Sequence, residues 1–350
     1  MTKKAENVIV GISIGDLNGI GSEVVLKTFE DLRMLEFCTP VIFANVKLMS
    51  FIKKTLGLND INLQGIDKLE QLVHGKINVL NVWREGVNIA FGTNDDNVGK
   101  YAIKSFTEAT AALKRKEIDV LVTAPINKYN IQSEDFKFPG HTDYLDQELE
   151  GNALMLMVHD NLRIGLLTDH LPVNEVAAHL TEELIRKKLI TINNALKQDF
   201  MISKPKIAVL CLNPHCGDNG VIGDEDDKLM KPVLKKLFEE GVLAFGPFSA
   251  DGFFGNSMYD KYDAVIAAYH DQGLVPFKTL SFGSGVNYTA GLEGIRTSPD
   301  HGTAYDIAGK GQADFNSFKE AVYLAIDVFN NRNMYKEITK NPLKIKEKQL

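Results

Sequence analysis

Short runs rich in Val and Ile recur along the chain with longer, helix-patterned stretches between them, and this alternation restricts the fold more than any other property of the sequence. The runs are Val8–Ile14, Pro40–Ala44, Val120–Ala124, Arg163–Thr168, Lys206–Cys211 and Asp263–Ala268. Strands apolar on both faces belong inside a parallel sheet covered by helices, so the pattern predicts an α/β protein with a largely parallel sheet. Between the runs, Ala102, Phe106, Ala109 and Leu113 share one helical face, as do Leu229, Val233 and Leu237 in a helix that Gly241 would close. Ser317 and Glu320 read as a capping box that opens a last helix through Phe318, Ala321, Val322 and Ala325. The polar, Lys-rich C-terminal tail is expected to dock or fray, without a function of its own.

A chain of 350 residues with 44% hydrophobic residues can build two lobes, or one extended sheet with a cleft. Its net charge of −7, from 39 basic and 46 acidic residues, is mild and spread along the sequence, which argues against nucleic acid or an anionic membrane as the main partner. The N-terminal segment has no apolar core of the signal-peptide kind, and no stretch approaches the ~18 apolar residues a membrane span requires. Cys38, Cys211 and Cys216 are odd in number and sit in or beside apolar runs, as reduced thiols of a cytoplasmic protein would.

Three histidines recur just past predicted strands: His170 after Arg163–Thr168, His215 after Lys206–Cys211, and His270 after Asp263–Ala268. In open α/β sheets ligands bind outside the carboxyl ends of the strands, so three neutral imidazoles could meet there and hold a divalent metal such as zinc. The plain alternative is three separate loop histidines. Asp169 and Asp271 could orient the neighbouring rings or be solvated acids. A rival metal set of Cys211, His215 and Cys216 is disfavoured, because the adjacent His215 and Cys216 would struggle to converge on one ion; the cysteines read as small core residues.

Polar clusters suit an anion. Gly140-His141-Thr142-Asp143 sets an imidazole beside a hydroxyl after a Pro-Gly turn, and Thr123 through Lys128 ends a strand with a cationic tip. Lys278, Asn287 and Arg296 follow the third histidine, a compact charge and a bidentate fork of the kind a phosphate and a carboxylate call for. The glycines of Gly15–Glu23 do not have dinucleotide-fingerprint spacing, so this run reads as a tight strand-to-helix turn with Ser22 as N-cap.

Together these segments resemble the 4-hydroxythreonine-4-phosphate dehydrogenase family of vitamin B6 biosynthesis over most of the chain. The likeness is carried by Gly15–Glu23, Thr123–Lys128, Gly140–Leu145, His170-Leu171-Pro172, Leu212 through His215 with Gly217 and Gly220, Tyr269 through Gly273, and Gly291–Ala304. The run His301–Gly311 also looks like the cofactor loop of isocitrate and isopropylmalate dehydrogenases, which bind NAD(P) without the usual fingerprint. The resemblance implies their two-lobed fold, with a first lobe of residues 1–128 plus 283–350, a second of 129–282, and an interdomain cleft. It implies NAD or NADP as cofactor and one divalent metal (zinc, magnesium or cobalt) on His170, His215 and His270, with one ligand crossing a homodimer interface. It places His141, Thr142, Lys278, Asn287 and Arg296 on the phosphorylated substrate and Asp300, His301 and Gly302 on the cofactor, with His215 in catalysis; the base for the hydroxyl proton is left open between a metal-bound water and a side chain, Asp251 or Lys278. The implied reaction is oxidation and decarboxylation of 4-phosphohydroxy-L-threonine.

Leu17 and Ser22 stand where the family usually has Pro, which leaves open a related branch acting on threonate or erythronate phosphate. Two other classes are weighed: a phosphate acyltransferase, which has no use for three metal-directed histidines, and a non-catalytic sensor on a dead scaffold, which would normally have lost a ligand or the Arg296 and Lys278 charges.

Overall fold

The computed structural model describes residues 7–134 and 136–341. Twelve strands form one sheet: β1 (Val8–Ser13), β2 (Cys38–Ala44), β3 (Leu63–Ile66), β4 (Ile77–Asn81), β5 (Val120–Thr123), β6 (Gly151–His159), β7 (Leu162–Leu166), β8 (Ile207–Leu210), β9 (Ala244–Phe248), β10 (Ala264–Ala267), β11 (Val286–Leu292) and β12 (Arg296–Pro299). Their order is β3-β4-β2-β1-β5-β12-β11-β6-β7-β10-β8-β9. Pairing is parallel on both flanks. Only the centre, β12–β11–β6–β7, is antiparallel. The architecture is α/β with a mostly parallel sheet.

All six apolar runs read from the sequence are strands, and the reason is burial on both faces. In β2, for example, Ile42 packs into one core while Val41 and Phe43 enter a second one across the sheet, under the helix Asp96–Lys114. Ala102, Phe106, Ala109 and Leu113 are buried on that helix, as its periodicity predicts. Gly241, at φ 89°, donates its N–H to Phe238 O just beyond the helix Lys231–Glu239, closing it as expected.

Two capping assignments are corrected. Ser22 is the second residue of the helix Gly21–Thr28, which Ile20 precedes, and its buried hydroxyl finds no partner among the described residues. Ser317 lies inside the helix Asn316–Thr339, and its hydroxyl donates to Gly285 O (2.7 Å) and accepts from Asp300 N (3.0 Å). Tertiary acceptors outcompeted the local cap. The C-terminal tail beyond residue 341 lies outside the described residues.

The long C-terminal helix is bolted to the antiparallel centre by a buried cluster. Arg332 Nε donates to Asp199 Oδ1 (2.6 Å), one Nη donates to Tyr288 Oη (2.9 Å), and Tyr288 donates to Asp199 Oδ2 (2.6 Å). The other Nη donates to the carbonyls of Leu292 and Glu293, beside the β11–β12 turn. Breaking a buried ion pair from one side strands the other charge, which costs about 3–5 kcal/mol. Arg332→Ala should therefore lower the unfolding free energy by that amount, read as a lower denaturant midpoint at unchanged m value; a loss under 1 kcal/mol would show that the pair is screened.

Candidate active site

Arg296 opens β12 at the middle of the sheet and is only 2% exposed. Its Nε and one Nη donate to Thr123 Oγ1 at the end of β5 (3.0 and 2.6 Å), and the other Nη donates to Thr289 Oγ1 in β11 (3.2 Å). The first Nη also donates to Nδ1 of His141 (3.0 Å). Every one of these acceptors is neutral. A desolvated cation without a carboxylate is costly, and burial pushes the guanidinium down to about 9.

His141 starts the helix His141–Glu148, and its ring meets Phe106 edge-on at 4.6 Å. Burial, then Arg296, then Lys128 hold its pKa well below the usual 6.5, so the ring is neutral. Because Nδ1 accepts from Arg296, the proton sits on Nε2, which is buried and has no partner among the described residues. Asn287 Oδ1 and His301 Nε2 are buried and unpartnered in the same way. These groups surround a cavity of about 230 Å³ that Thr142, His170 and Gly302 also line. The cavity thus gathers His141, Thr142, Asn287 and Arg296 with His301 and Gly302, residues expected on substrate and cofactor respectively.

Lys278 and Asp300, expected on substrate and cofactor, stand together as an ion pair. Lys278 Nζ is 3.0 Å from Asp300 Oδ1 and donates to its carbonyl (3.2 Å), while Ser317 fixes the Asp300 N–H. The cofactor-like loop packs on the first turn of the chain. Ile20 N donates to Thr303 O, and a Cβ on Gly19 would fall 2.8 Å from that same carbonyl. Tyr305 donates to buried Asp16 (2.8 Å), accepts from Asn127, and is pushed up to about 12 by burial. Gly19 serves this close packing, while Gly15 and Gly21 let the turn abut Ala124 and Ile14, in keeping with a structural turn.

The three candidate ligands fall in two places. The rings of His170 and His270 lie 5.7 Å apart, centroid to centroid. Burial, then Lys128, lowers the His170 pKa, favouring the neutral ring a cation needs. His270 Nδ1 bonds Asp271 (2.8 Å), the orienting contact considered above, whereas Asp169 sits 3.8 Å from Lys188. His215 lines a second pocket, of about 320 Å³, with Asp251, whose carboxylate accepts from Ser249 and Gly252 N. The Ser249 bond draws the Asp251 pKa down. Among the described residues no three His, Cys, Asp or Glu side chains of this single chain are grouped to hold a metal. Two imidazoles thus fit a divalent cation in chemistry and placement, and the third donor is not beside them within one chain. Burial pushes the Cys211 thiol up to about 12, as suits a core residue.

Sequence reasoning passed over Thr123 as a holder of Arg296, Thr289, Asp16 and Ser317. In sequence, the threonines are ordinary β-formers; only a buried cation facing them makes them functional.

Residues 36–325 match the family described as pyridoxal phosphate biosynthetic protein PdxA. The chain belongs to the PdxA family. A relative from Bacteroides thetaiotaomicron named 4-hydroxythreonine-4-phosphate dehydrogenase is 47% identical over 342 residues, covering 97% of this chain and 94% of the relative. A relative from Oceanobacillus iheyensis, provisionally named D-threonate 4-phosphate dehydrogenase, is 32% identical over 333 residues, with 94% and 99% covered. The solved 4-hydroxythreonine-4-phosphate dehydrogenase of Klebsiella pneumoniae superposes with a TM-score of 0.79 at 29% identity, covering 94% of this chain and 99% of its own. The family likeness therefore spans both flanks of the sheet.

A neutral, buried His141 has a pH consequence. Its pKa is lower in the folded than in the unfolded chain, so the unfolded state binds the extra proton first and stability falls as pH drops below about 6.5. Unfolding midpoints measured from pH 7.5 to 5.5 should fall less steeply in His141→Gln than in the parent chain; parallel curves would mean that His141 is protonated in the fold.

Proposed function

We propose that this chain oxidises and decarboxylates 4-phosphohydroxy-L-threonine to 3-amino-2-oxopropyl phosphate and CO2, in pyridoxal 5′-phosphate biosynthesis. The single observation that carries the reading is the buried Arg296 with only neutral partners, beside an unpartnered His141 Nε2 at a small cavity. A phosphate supplies the missing negative charge and accepts both donors. Membership of the family and the names of its relatives support the same substrate class.

In this reading Arg296, His141, Thr142 and Asn287 hold the phosphorylated substrate, with Lys278 kept near the cleft by Asp300. Binding energy at the phosphate, remote from the reacting carbon, orients the hydroxyl-bearing carbon for oxidation. Bound in the cleft, NAD or NADP supplies the hydride acceptor, and a divalent cation such as zinc, magnesium or cobalt supplies Lewis acidity at the substrate hydroxyl. His170 and His270 would hold the cation, and His215 would complete the set across a homodimer interface. Lys278 or Asp251 takes the hydroxyl proton. The oxidised carbon is β to the carboxylate, so loss of CO2 follows. His301 and Gly302, beside Asp300, face the cofactor. Residues 1–128 with 283–350, and 129–282, form the two lobes around the cleft of a cytoplasmic enzyme.

A second reading, oxidation of threonate or erythronate 4-phosphate, is favoured by the Oceanobacillus relative. The deciding assay is NADH or NADPH formation at 340 nm with each substrate, with and without chelator. Turnover of 4-phosphohydroxy-L-threonine that chelator abolishes is expected; turnover of the threonate or erythronate ester alone would transfer the assignment. Arg296→Ala should lose about 2–5 kcal/mol of transition-state stabilisation, at least about 30-fold in kcat/KM. A loss below threefold would remove the phosphate reading.

A further inference from the structure

His215 rides on a strained loop, closed by main-chain bonds such as Cys216 N–H to Asn213 O (3.1 Å) and Ile222 N–H to Gly217 O (2.9 Å). His215, Cys216, Asp218 and Asn219 all have φ between 45° and 54°, and Gly217 and Gly220 are also left-handed. Such conformations of side-chain-bearing residues cost free energy and persist only where neighbours over-determine them. The neighbour here is Asp226, at the head of a π-helical turn, Asp226–Met230, that leads into the helix Lys231–Glu239. Asp226 is fully buried, and its two oxygens accept the main-chain N–H groups of Leu212 (2.8 Å) and Asn213 (2.9 Å). Glu225 adds a bond from Asn213 Nδ2 (2.8 Å). The fit is close: a Cβ on Gly223 would lie 2.7 Å from that same Nδ2 and 2.9 Å from Glu225 Oε2.

We propose that Asp226 is a positioning residue for the reaction: its carboxylate clamps Leu212 and Asn213 in the β8 exit loop and so holds His215 in its left-handed turn. A carboxylate is required because both facing groups are donors; an amide would oppose one N–H with its own NH2. Glu225 restrains the side chain of Asn213 as well and strengthens the clamp. The proposal rests on the reading of His215 as a metal ligand, since the loop's geometry matters only if the imidazole must arrive at a fixed point.

The test uses the full chain with Asp226→Asn, Glu225→Ala and His215→Ala, cobalt(II) alone and inorganic phosphate alone as calorimetric probes, and hydrogen exchange across residues 207–223. Asp226→Asn is expected to exchange faster across this segment, to bind cobalt about 10- to 100-fold more weakly, and to keep parental affinity for phosphate, which reports on Arg296. A merely structural role would lower thermal stability and leave cobalt affinity alone, so parental cobalt affinity in folded Asp226→Asn overturns the proposal. If that variant does not fold, Glu225→Ala, which removes only the Asn213 side-chain bond, should weaken cobalt in the same direction, and parental affinity there overturns it. His215→Ala separates the two ideas. If it keeps parental cobalt affinity, the ligand reading fails by that measurement and the proposal falls with it; if it loses cobalt while Asp226→Asn does not, only the proposal falls.

Discussion

A guanidinium sealed at the centre of a twelve-stranded sheet, with no carboxylate among the described residues to meet it, is the constraint around which the rest of the cleft is arranged. Arg296 stands where the parallel flank ending at β5 turns into the antiparallel centre, so the strands on either side of it, β5 and β11, reach it with side chains. Thr123 and Thr289 satisfy its hydrogen bonds without neutralising its charge, and His141 is held neutral beside it. Hydrogen bonding is thus complete enough to tolerate burial, while the electrostatic deficit is left for a ligand.

The chain contains its own counterexample. Arg332 is nearly as buried, yet it meets Asp199 directly and spends its remaining donors on Tyr288 and two carbonyls. That cation closes the fold behind the site; nothing about it asks for a partner. Two buried arginines with opposite accounts of charge, one on a central strand and one on the C-terminal helix beside it, separate a structural role from a binding one. The same contrast runs through the acids, where Asp226 and Asp16 are consumed by loop-holding bonds.

Much of this was legible along the chain. The Val- and Ile-rich runs announced six strands because burial on both faces leaves no polar alternation, and His141, Asn287 and Arg296 stood out by their chemistry. The six other strands were not readable. β6 is Leu- and Met-rich and could as well be helical, β9 and β12 carry proline, β11 is interrupted by Gly291, and β3 and β4 are short and partly polar. The Ser317 cap failed because its hydroxyl found acceptor and donor in distant loops, which no local pattern encodes. Likewise, no local pattern pairs Lys278 with Asp300, which only the fold brings together as an ion pair.

The sequence by itself determined the layered α/β class, the strand-end positions of its histidines and the cationic, hydroxyl-rich character of its cleft, because periodicity and residue chemistry are local properties. Only the tertiary structure decided which charges are compensated and which are not. That distinction depends on desolvation and on partners drawn from strands, loops and helices far apart in the chain, and neither exists until the chain is packed.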